Sequence, residues 1–458
     1  MDQIVELSQM LEARERRAQR QRELLERYGL PLVSFTMNIA GPVKNSPSIR
    51  RGFSIGRDLL LGQLQRVKAP LVCREEIDEV TGCEGFYVVD LSGAALKELT
   101  VEIEEHTRLG RLLDMDVISP SGEKLERTIA RRCMICGRPA QECARSRMHT
   151  VTELQRKTHE ILSSALDRHD AETVAALAVR ALLFEVAVTP KPGLVDRDGN
   201  GSHQDMDFYT FLSSASSLFP YFSECFMIGR QTAADPAPFT FSRLRIPGKF
   251  AEGKMLRATG GINTHKGAIF TLGIISGALG RIPREKWHSP ADVLKQAADM
   301  TCDVEKELSG LTEESARTAG QRIFVRCGVT GVRGQAAAGF PTVLHHGLPV
   351  LENGLTQGKT RDEAGAAALL AILSCTTDTN MISRGGIEIE NEKRIQLSAL
   401  LNDTPYPDRE TLLALDREYT EENLSPGGSA DLLALCWLLH FLKEESQSGV
   451  HNFTDLSE

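Results

Sequence analysis

The stretch TPKPGLVDRDGNGSHQDMD, residues 189–207, interrupts the most strongly helical part of the sequence. Its two prolines and three glycines break any helix, whereas the apolar segments on either side, 171–188 and 208–228, are predicted to be core helices. Its four aspartates would need cations or a metal ion if they were buried. The sequence therefore predicts a mainly helical domain whose charged loop is either a functional site or a solvated turn.

Further loops of this kind adjoin apolar helices downstream. They combine glycines with charged or amide side chains and lie at residues 260–267, 326–341, 376–386 and 423–431. In the last loop, Ser429 is predicted to be a helix N-cap and Asp431 to lie in the first turn. Each loop alone could be an ordinary cap or turn. Together, acidic loops that suit metal and basic glycine loops that suit phosphate predict a pocket for a nucleoside triphosphate.

The first third of the chain follows a different pattern, in which strands alternate with helices. Strands are predicted at 30–39, 86–91 and 110–118, and helices at 2–27 and 94–106. The N-terminal helix is dense in charge, and its basic run, residues 14–22, is expected to face solvent. The pattern indicates a multidomain protein with an N-terminal α+β domain and a mostly all-α domain after it.

A basic loop at residues 41–52 follows the first predicted strand and leads into a helix expected from Ile55. The loop carries Lys44, Arg50 and Arg51 between two glycines. Cations and free backbone amides ahead of a helix suit phosphate groups, although a solvated basic turn would have the same composition.

Asp114 and Asp116 are separated by one residue on the strand predicted at 110–118. Side chains at i and i+2 of a strand project to the same face, so both carboxylates could hold one or two divalent cations. Nucleotidyl-type transferases use such a pair with a metal-bound triphosphate, and the expected fold of this domain is a nucleotidyltransferase-like mixed sheet. Two aspartates with this spacing are, by themselves, only weak evidence for a metal site.

Three cysteines and a histidine follow within a short span, at Cys133, Cys136, Cys143 and His149. Four such ligands could close a tetrahedral Zn²⁺ site, which would be structural because four protein ligands leave no open position. The arginines between them leave another interpretation open, a phosphate-facing loop with ordinary thiols.

Composition limits the partners and the location of the protein. The formal charge of −9 argues against general nucleic-acid binding, and the N-terminus lacks the apolar segment of a secretory signal. The longest strongly apolar run, residues 364–375, is too short to span a bilayer, and ten cysteines without such a signal indicate reduced thiols. We therefore expect a cytoplasmic protein that binds neither nucleic acid nor membrane.

Domain boundaries follow from the change of pattern near residues 163–170. The acidic excess also lies after Leu166, whereas the preceding part is nearly neutral. The expected domains are 1–166 and 171–446, with a C-terminal tail at 447–458.

Several motifs resemble those of two known families. TPKPGLVDR with HQDM, then GINTHKGAIF, RCGVTGVRGQA and NLSPGGSADLL, resemble the triphosphoribosyl-dephospho-coenzyme A synthase family in the same order, over about residues 171–445. NIAGPVK, HTRLGRLLDMDVI and the cysteine cluster ending in CARSRMH resemble the apo-citrate lyase phosphoribosyl-dephospho-coenzyme A transferase family. The whole chain thus resembles the fused form of the two citrate lyase prosthetic-group enzymes.

The resemblance implies a bifunctional transferase with ATP and dephospho-coenzyme A as substrates and Mg²⁺ as cofactor. The C-terminal domain would join ATP to dephospho-coenzyme A and release adenine. The N-terminal domain would transfer the phosphoribosyl-dephospho-coenzyme A unit to a serine of the citrate lyase acyl carrier protein, its gamma subunit, and release pyrophosphate. The same chemistry for malonate decarboxylase is an alternative, and so is an N-terminal half that acts as a zinc-dependent carrier-docking module.

The resemblance also implies roles for particular residues. In the C-terminal domain the candidate catalytic or metal-binding carboxylates are Glu185, Asp196, Asp205 and Asp207. The candidate substrate and phosphate contacts there are Lys191, His203, Asn263, His265, Lys266, Arg326, Arg333, Asp378 and Asp431. In the N-terminal domain Asp114 and Asp116 would hold Mg²⁺ and act in catalysis, with Lys44, Arg50, Arg51 and Arg111 on the triphosphate. His106 is either a base or a structural histidine, and Gln335 stands where the third motif is expected to have glutamate.

Overall fold

The structure, a computed structural model, describes residues 3–451, and it describes side chains as far as Glu445. The chain divides into two compact units, Met1–His169 and Asp170–Glu458. Of the tail predicted at 447–458, residues 452–458 lie outside the described part, and residues 447–451 belong to the last helix.

The first unit combines a small sheet with helices. Its strands are β1 Leu32–Met37, β2 Leu71–Glu79, β3 Gly82–Val89 and β4 Leu113–Ile118. Its helices are α1 Leu7–Tyr28, α2 Pro47–Arg66, α3 Gly93–His106, α4 Ala140–Arg145 and the first part of α5 Val151–Ala187.

The strands form one sheet in the order β2-β3-β1-β4, and every neighbouring pair is antiparallel. The α+β class is confirmed, but the expectation of a mixed sheet is wrong. The tight turn between β2 and β3 forces those two strands to run in opposite directions. Strand β2 was not predicted, because its sequence LVCREEIDE is a charged, mostly exposed edge strand without a regular apolar alternation.

Two other local expectations are corrected in this unit. Helix α2 begins at Pro47 rather than at Ile55, with Ser46 as its N-cap accepting a hydrogen bond from the Ile49 backbone N–H. The basic run of α1 is not simply solvated. Arg16, Arg17 and Arg20 form ion pairs with glutamates of β2 and β3, so the helix lies against the sheet.

The second unit is helical in the residues described, which confirms a mostly helical C-terminal region. Its α-helices after α5 are α6 Phe208–Ser217, α7 Phe219–Gln231, α8 Ala237–Ala258, α9 Lys266–Arg281, α10 Pro290–Thr301, α11 Ala319–Cys327, α12 Val332–Ala337, α13 Leu348–Thr356, α14 Arg361–Cys375, α15 Thr379–Gly385, α16 Ile387–Asp403, α17 Arg409–Glu421 and α18 Gly427–His451. Shorter helical turns lie at Arg284–Lys286, Val304–Leu308 and Val343–Gly347.

The core of this unit is built from α9 and α14, which are buried on nearly all faces, and from the apolar face of α18. Small residues let these helices approach one another closely. Helix α5 is continuous through residues 163–170, where a junction was expected. Arg168 there is exposed, whereas Asp170 is buried and pairs with Arg284 at 2.6 Å, and neither interrupts the helix.

In the described part of the chain, no single helix has the length and apolarity needed to cross a membrane. The bent pair α14 and α15, which meet at 72°, passes that test only when the two helices are taken together. Helix α14 is a buried core helix in this structure.

Candidate functional site

The loop at 189–207 begins with a buried ion pair at the end of α5. Lys191 Nζ donates to Glu185 Oε1 at 2.5 Å and to the Glu185 carbonyl oxygen at 2.7 Å. The two side chains are 1% and 5% exposed. Burial raises the pKa of Glu185, and the Lys191 charge opposes that shift. Glu185, predicted as a catalytic or metal-binding carboxylate, and Lys191, predicted as a phosphate contact, thus form an ion pair inside the helical unit.

The Asp196 side chain accepts hydrogen bonds from the backbone of the same loop. One carboxylate oxygen accepts from the Lys191 N–H at 3.0 Å, and the other accepts from the N–H groups of Asp198 and Gly199 at 2.8 and 3.0 Å. With both oxygens engaged, Asp196 fixes the loop that presents Lys191.

His265 lies at the start of α9 and is buried. Its Nδ1 is 2.6 Å from Ser214 Oγ, and Thr264 Oγ1 donates to the same serine oxygen at 2.7 Å. If Ser214 donates to Nδ1, the imidazole proton lies on Nε2. Nε2 is buried without a protein partner.

Burial and the nearby Lys191 lower the pKa of His265 to about 3. The ring is therefore neutral at pH 7 and carries no positive charge. Ser214 was not identified from the sequence. A serine in the middle of an apolar helix gives no signal until its neighbour across the fold is known.

Asp431 is the fifth residue of α18, which begins at Gly427, so the prediction that it lies in the first turn is wrong. Its carboxylate faces the first turn of α9. A Cβ atom added to Gly267 would be 1.8 Å from Asp431 Oδ2, so only glycine fits there. Burial raises the pKa of Asp431 well above its usual range, and the charges of Glu185 and Asp378 add to the shift. The ends of α5, α9 and α18 therefore converge on one acidic site.

Asp378 joins α15 to α18. One carboxylate oxygen accepts from the N–H groups of Asn380 and Met381, at 2.8 and 3.2 Å, and caps α15. The other accepts from the Ser429 N–H at 2.7 Å and from its hydroxyl at 2.8 Å. Helix α18 already begins at Gly427, so the prediction that Ser429 is its N-cap is wrong. Ser429 contacts the cap of a neighbouring helix instead.

Four further candidate residues of the helical unit precede or follow α6 in the chain. His203 Nε2 is 2.8 Å from Ser425 Oγ, and Asp205 is exposed beside it at 3.9 Å from His203 Nδ1. Asp207 is the N-cap of α6, and its carboxylate accepts from the Thr210 N–H at 2.8 Å. Asn263 is exposed two residues before His265.

Three predicted cations differ in their surroundings. Lys266 is exposed and lies 3.0 Å from Glu252, and Arg326 is exposed and lies 3.2 Å from Glu313. Arg333 is partly buried in α12, and burial lowers its pKa. Gln335, two residues further on, donates to the hydroxyls of Thr342 and Thr376 at 2.9 and 3.0 Å, and its buried Oε1 has no protein partner.

The first unit contains a separate candidate site, a cavity of about 180 Å³ beside β4. Its lining includes the predicted Lys44 and Asp114 together with Arg14 and Arg17 of α1. The sequence interpretation missed these two arginines because it assigned the run 14–22 to solvent. Their spacing of three residues puts them on one helix face, but nothing in the sequence shows that this face meets Asp114.

Burial and neighbouring charges shift the pKa values of the ionisable groups around that cavity. Burial lowers the pKa of Lys44, as does the neighbouring Arg14, and Lys44 Nζ donates to the Ile39 carbonyl oxygen at 2.6 Å. Burial raises the pKa of Asp114, and Asp116 raises it further. Asp116 lies on the same face of β4 but forms an ion pair of 2.5 Å with Lys124. Asp114, rather than Asp116, therefore lines the cavity, together with Glu84 of β3.

The remaining N-terminal candidates have other partners. Arg50 donates to Asn45 Oδ1 at 3.2 Å and lies 3.9 Å from Asp78. Arg50 and Arg51 both belong to the first turn and a half of α2. Arg111 precedes β4, and burial lowers its pKa, as does the nearby Arg131. Arg131 itself lies 3.3 Å from Asp114 and was not predicted.

The cysteine cluster assembles as the spacing predicts. The ligand atoms of Cys133, Cys136, Cys143 and His149 all lie within 4.8 Å of one another. In the described part of the chain this is the one set of three or more such side chains close enough to hold a metal ion. The chain thus has three groups of candidate site residues, one in the helical unit and two in the first unit.

Family models match each half of the chain. Residues 5–165 match the model described as CitX, apo-citrate lyase phosphoribosyl-dephospho-CoA transferase. Residues 171–450 match the model described as CitG, ATP:dephospho-CoA triphosphoribosyl transferase. The second model alone covers more than half of the sequence.

Curated relatives repeat the same order of domains. Protein CitXG of Haemophilus influenzae is 34% identical over 449 residues, which is 94% of this chain and 95% of the relative. Protein CitXG of Leuconostoc mesenteroides subsp. cremoris is 32% identical over 452 residues, with the same shares. A probable 2-(5''-triphosphoribosyl)-3'-dephosphocoenzyme-A synthase of Vibrio cholerae is 40% identical over 274 residues, 59% of this chain and 88% of that protein.

Proposed function

The chain belongs to the CitXG family of fused citrate lyase prosthetic-group enzymes, and we propose that residues 171–446 and 1–166 carry its two reactions separately. It is a bifunctional transferase that makes and attaches the citrate lyase prosthetic group. The carrier of that group would be the acyl carrier protein, or gamma subunit, of citrate lyase. The observation that supports the division best is the occurrence of a converged acidic site in the second unit and a basic cavity in the first.

In the second unit, a ribose hydroxyl of dephospho-coenzyme A attacks the anomeric carbon of the ATP ribose. A carbon–oxygen bond forms, the carbon–nitrogen bond to adenine breaks, and the triphosphate remains on the transferred ribose. The transition state carries positive charge on the sugar, which a nearby carboxylate stabilises. The hydroxyl proton passes to a base, and a proton from an acid can reach the departing adenine.

Glu185 and Asp431 are the best placed carboxylates for these roles. Asp196 and Asp378 already accept hydrogen bonds at both carboxylate oxygens, and Asp207 caps a helix. Lys191 stabilises the ionised form of Glu185, which suits a base or an electrostatic stabiliser. The raised pKa of Asp431 suits a proton donor to adenine.

The phosphate end of the same site is assigned to the start of α9 and to Arg333. His265 Nε2 is buried without a protein partner and would donate to a phosphate oxygen in its protonated tautomer, and the amides of the first turn of α9 lie beside it. Mg²⁺, when bound, would neutralise the triphosphate. One or two carboxylates of this acidic site would hold the ion together with phosphate oxygens.

In the first unit, the carrier serine attacks the phosphorus nearest the transferred ribose and pyrophosphate leaves. Lys44, Arg14 and Arg17 would neutralise the triphosphate in the cavity, and Asp114 would accept the serine proton or hold Mg²⁺. Arg50, Arg51 and Arg111 are proposed as outer contacts of the same substrate.

The first experiment supplies the full chain with ATP, Mg²⁺ and dephospho-coenzyme A and follows free adenine. Adenine release is expected to fall at least a hundredfold in Glu185→Gln and to stay near wild type in Glu388→Gln, an exposed glutamate at the start of α16. Formation of ADP or AMP instead of adenine would contradict the C-terminal assignment. A second assay offers citrate lyase and malonate decarboxylase carrier proteins in parallel, and preferential labelling of the malonate carrier would support the alternative.

A further inference from the structure

The cysteine cluster lies on a segment that lacks a hydrophobic core of its own. From Ser121 to Thr150, Cys143 is the one residue whose side chain is buried. Met134 is partly buried against the main core of the first unit, and Thr158 Oγ1 lies 3.9 Å from its sulfur. Apolar burial this small does not offset the conformational entropy of so many ordered residues. Another interaction must hold the segment in place.

The ligand atoms already have the spacing of a tetrahedral site. Cys136 Sγ lies 3.3 Å from Cys143 Sγ and 3.3 Å from His149 Nε2, and none of these cysteines forms a disulfide. A tetrahedral zinc ion with Zn–S bonds of about 2.3 Å holds its ligand atoms about 3.7 Å apart. The observed separations are close to that value, and a small expansion would admit the ion.

The backbone shows why the spacing produces this arrangement. The Cys133 carbonyl accepts from the Gly137 N–H at 3.1 Å, and the Cys133 N–H donates to the Arg138 carbonyl at 2.6 Å. Gly137 adopts φ +74°, which closes the turn and points both thiols of the C-x-x-C motif to one side. Helix α4 then supplies Cys143, and the turn before α5 supplies His149.

The positive charge of the segment suits a zinc centre that carries thiolate ligands. Zinc with three thiolates and a neutral histidine has a net charge of about −1 by formal counting. Arg132, Arg138, Arg145 and Arg147 surround the cluster in sequence and are exposed or partly exposed. Their charges stabilise an anionic centre.

The segment also carries the arginine that contacts Asp114. Arg131 Nη2 donates to the carbonyl oxygens of Gly110 and Arg111, at 3.0 and 3.2 Å, and also to that of Leu113. Its Nη1 lies 3.3 Å from Asp114 Oδ1. Arg131 precedes Cys133 by two residues, so whatever fixes the cluster also fixes this contact.

We propose that Cys133, Cys136, Cys143 and His149 bind one structural zinc ion, which holds residues 131–150 folded and keeps Arg131 against the turn before β4. Four protein ligands leave no open coordination position, so the ion takes no part in either reaction. Arg131 is a positioning residue for Asp114. Only this last role depends on the proposed carrier-labelling reaction.

The primary test is the metal content of the full chain purified without added chelator. Elemental analysis should find one zinc per chain in the wild type and in Cys302→Ser, an exposed thiol of the second unit. Cys136→Ser and His149→Ala should lose the metal, whereas His149→Cys should retain it. Cobalt exchanged into the wild type should give the absorption of tetrahedral thiolate coordination. Zinc-free wild-type protein, or full zinc in Cys136→Ser, would overturn the proposal.

A second measurement separates the structural role from the reaction. Trypsin should cleave zinc-free protein at the arginines between 131 and 147 at least tenfold faster than zinc-loaded protein, and added zinc should restore resistance. Equal cleavage of the two forms would overturn the structural role. Carrier labelling should fall with zinc removal while adenine release is unchanged. If labelling is absent in zinc-loaded wild type, the proposed transfer fails but the zinc site stands.

Discussion

Lys191 Nζ lies 2.5 Å from Glu185 Oε1, and these two side chains are almost completely buried inside the helical unit. A buried charge without its partner is strongly destabilising, whereas the pair itself adds little net stability. Because the pair adds little net stability, we infer that it serves the function of this site rather than the stability of the fold.

Lys191→Met should lower the free energy of unfolding by about 3–5 kcal/mol at pH 7, because it leaves the Glu185 carboxylate buried and unpaired. Burial already raises the folded-state pKa of Glu185 above its unfolded value, so the folded state binds more protons. The variant should be most stable below the unfolded pKa of about 4.5 and lose stability as pH rises. Urea unfolding of the variant and the wild type from pH 4 to pH 8 measures this pH dependence of the free energy of unfolding.

Lys306→Met is the matched control for that variant. Lys306 pairs with Asp303 on the surface, so its removal should leave the unfolding midpoint unchanged. A Lys191→Met protein as stable as the control at every pH would contradict a charged buried pair.

His265→Asn should remove a pH dependence of stability. The folded pKa of His265 is about 3 and the unfolded value is 6.5, so the unfolded state binds more protons between these values. Wild-type stability should therefore fall as pH decreases from 6.5, by at most about 1.4 kcal/mol per pH unit. The variant should lose this slope, and His346→Asn, which changes an exposed histidine, should keep it. Urea midpoints at several pH values test the difference.

Gly267→Ala should abolish most adenine release, because its Cβ would occupy space 1.8 Å from Asp431 Oδ2. The carboxylate must move away from the end of α9, and Asp431 then no longer faces the substrate. A loss of at least a hundredfold in kcat/KM is expected with supplied ATP and dephospho-coenzyme A. Gly320→Ala is the control, since nothing lies within 4 Å of its added Cβ. Equal activity of the two variants would remove Asp431 from the mechanism.

Asp114→Asn should abolish carrier labelling from supplied triphosphoribosyl-dephospho-coenzyme A but leave adenine release unchanged. Asp114 lines the cavity, whereas Asp116 is neutralised by Lys124 at 2.5 Å, so Asp116→Asn should have the smaller effect. Asp90→Asn, at an exposed position after β3, is the control. Full labelling by Asp114→Asn would exclude it from catalysis.

Arg14→Gln should raise the KM for the triphosphoribosyl substrate about tenfold, since one charge-assisted phosphate contact contributes about 1.5–3 kcal/mol. The effect should weaken with increasing salt, as Arg14 is exposed at the cavity rim. Arg27→Gln, in the last turn of the same helix, should leave KM unchanged. Steady-state labelling kinetics at two salt concentrations distinguish the variants.

Local elements and local ligand sets could be predicted from the sequence because their determinants lie close together in the chain. The Asp114–Asp116 spacing on a strand and the cysteine spacing both depend on neighbouring backbone geometry, and the structure shows both. The start of α2 was placed too late, because Ser46 and Pro47, which form a helix start, were assigned to a loop. Strand pairing could not be predicted, since an edge strand such as β2 is defined by its partner.

The sequence by itself determined the family of this protein and the helical character of its second half, and it supplied most of the candidate site residues, since motifs and periodicity depend on residue order. Only the tertiary structure decided which of the carboxylates remain available. Asp196 accepts hydrogen bonds from backbone N–H groups of its own loop, whereas Asp378 also accepts from Ser429 of α18, and Asp431 meets Gly267 across more than 160 residues. In the loop at 189–207, Lys191 pairs with Glu185, Asp196 and Asp207 accept backbone hydrogen bonds, Asp198 pairs with Arg409, and Asp205 is exposed. Hydrogen-bond satisfaction depends on the packing of helices far apart in the chain, and no local pattern contains it.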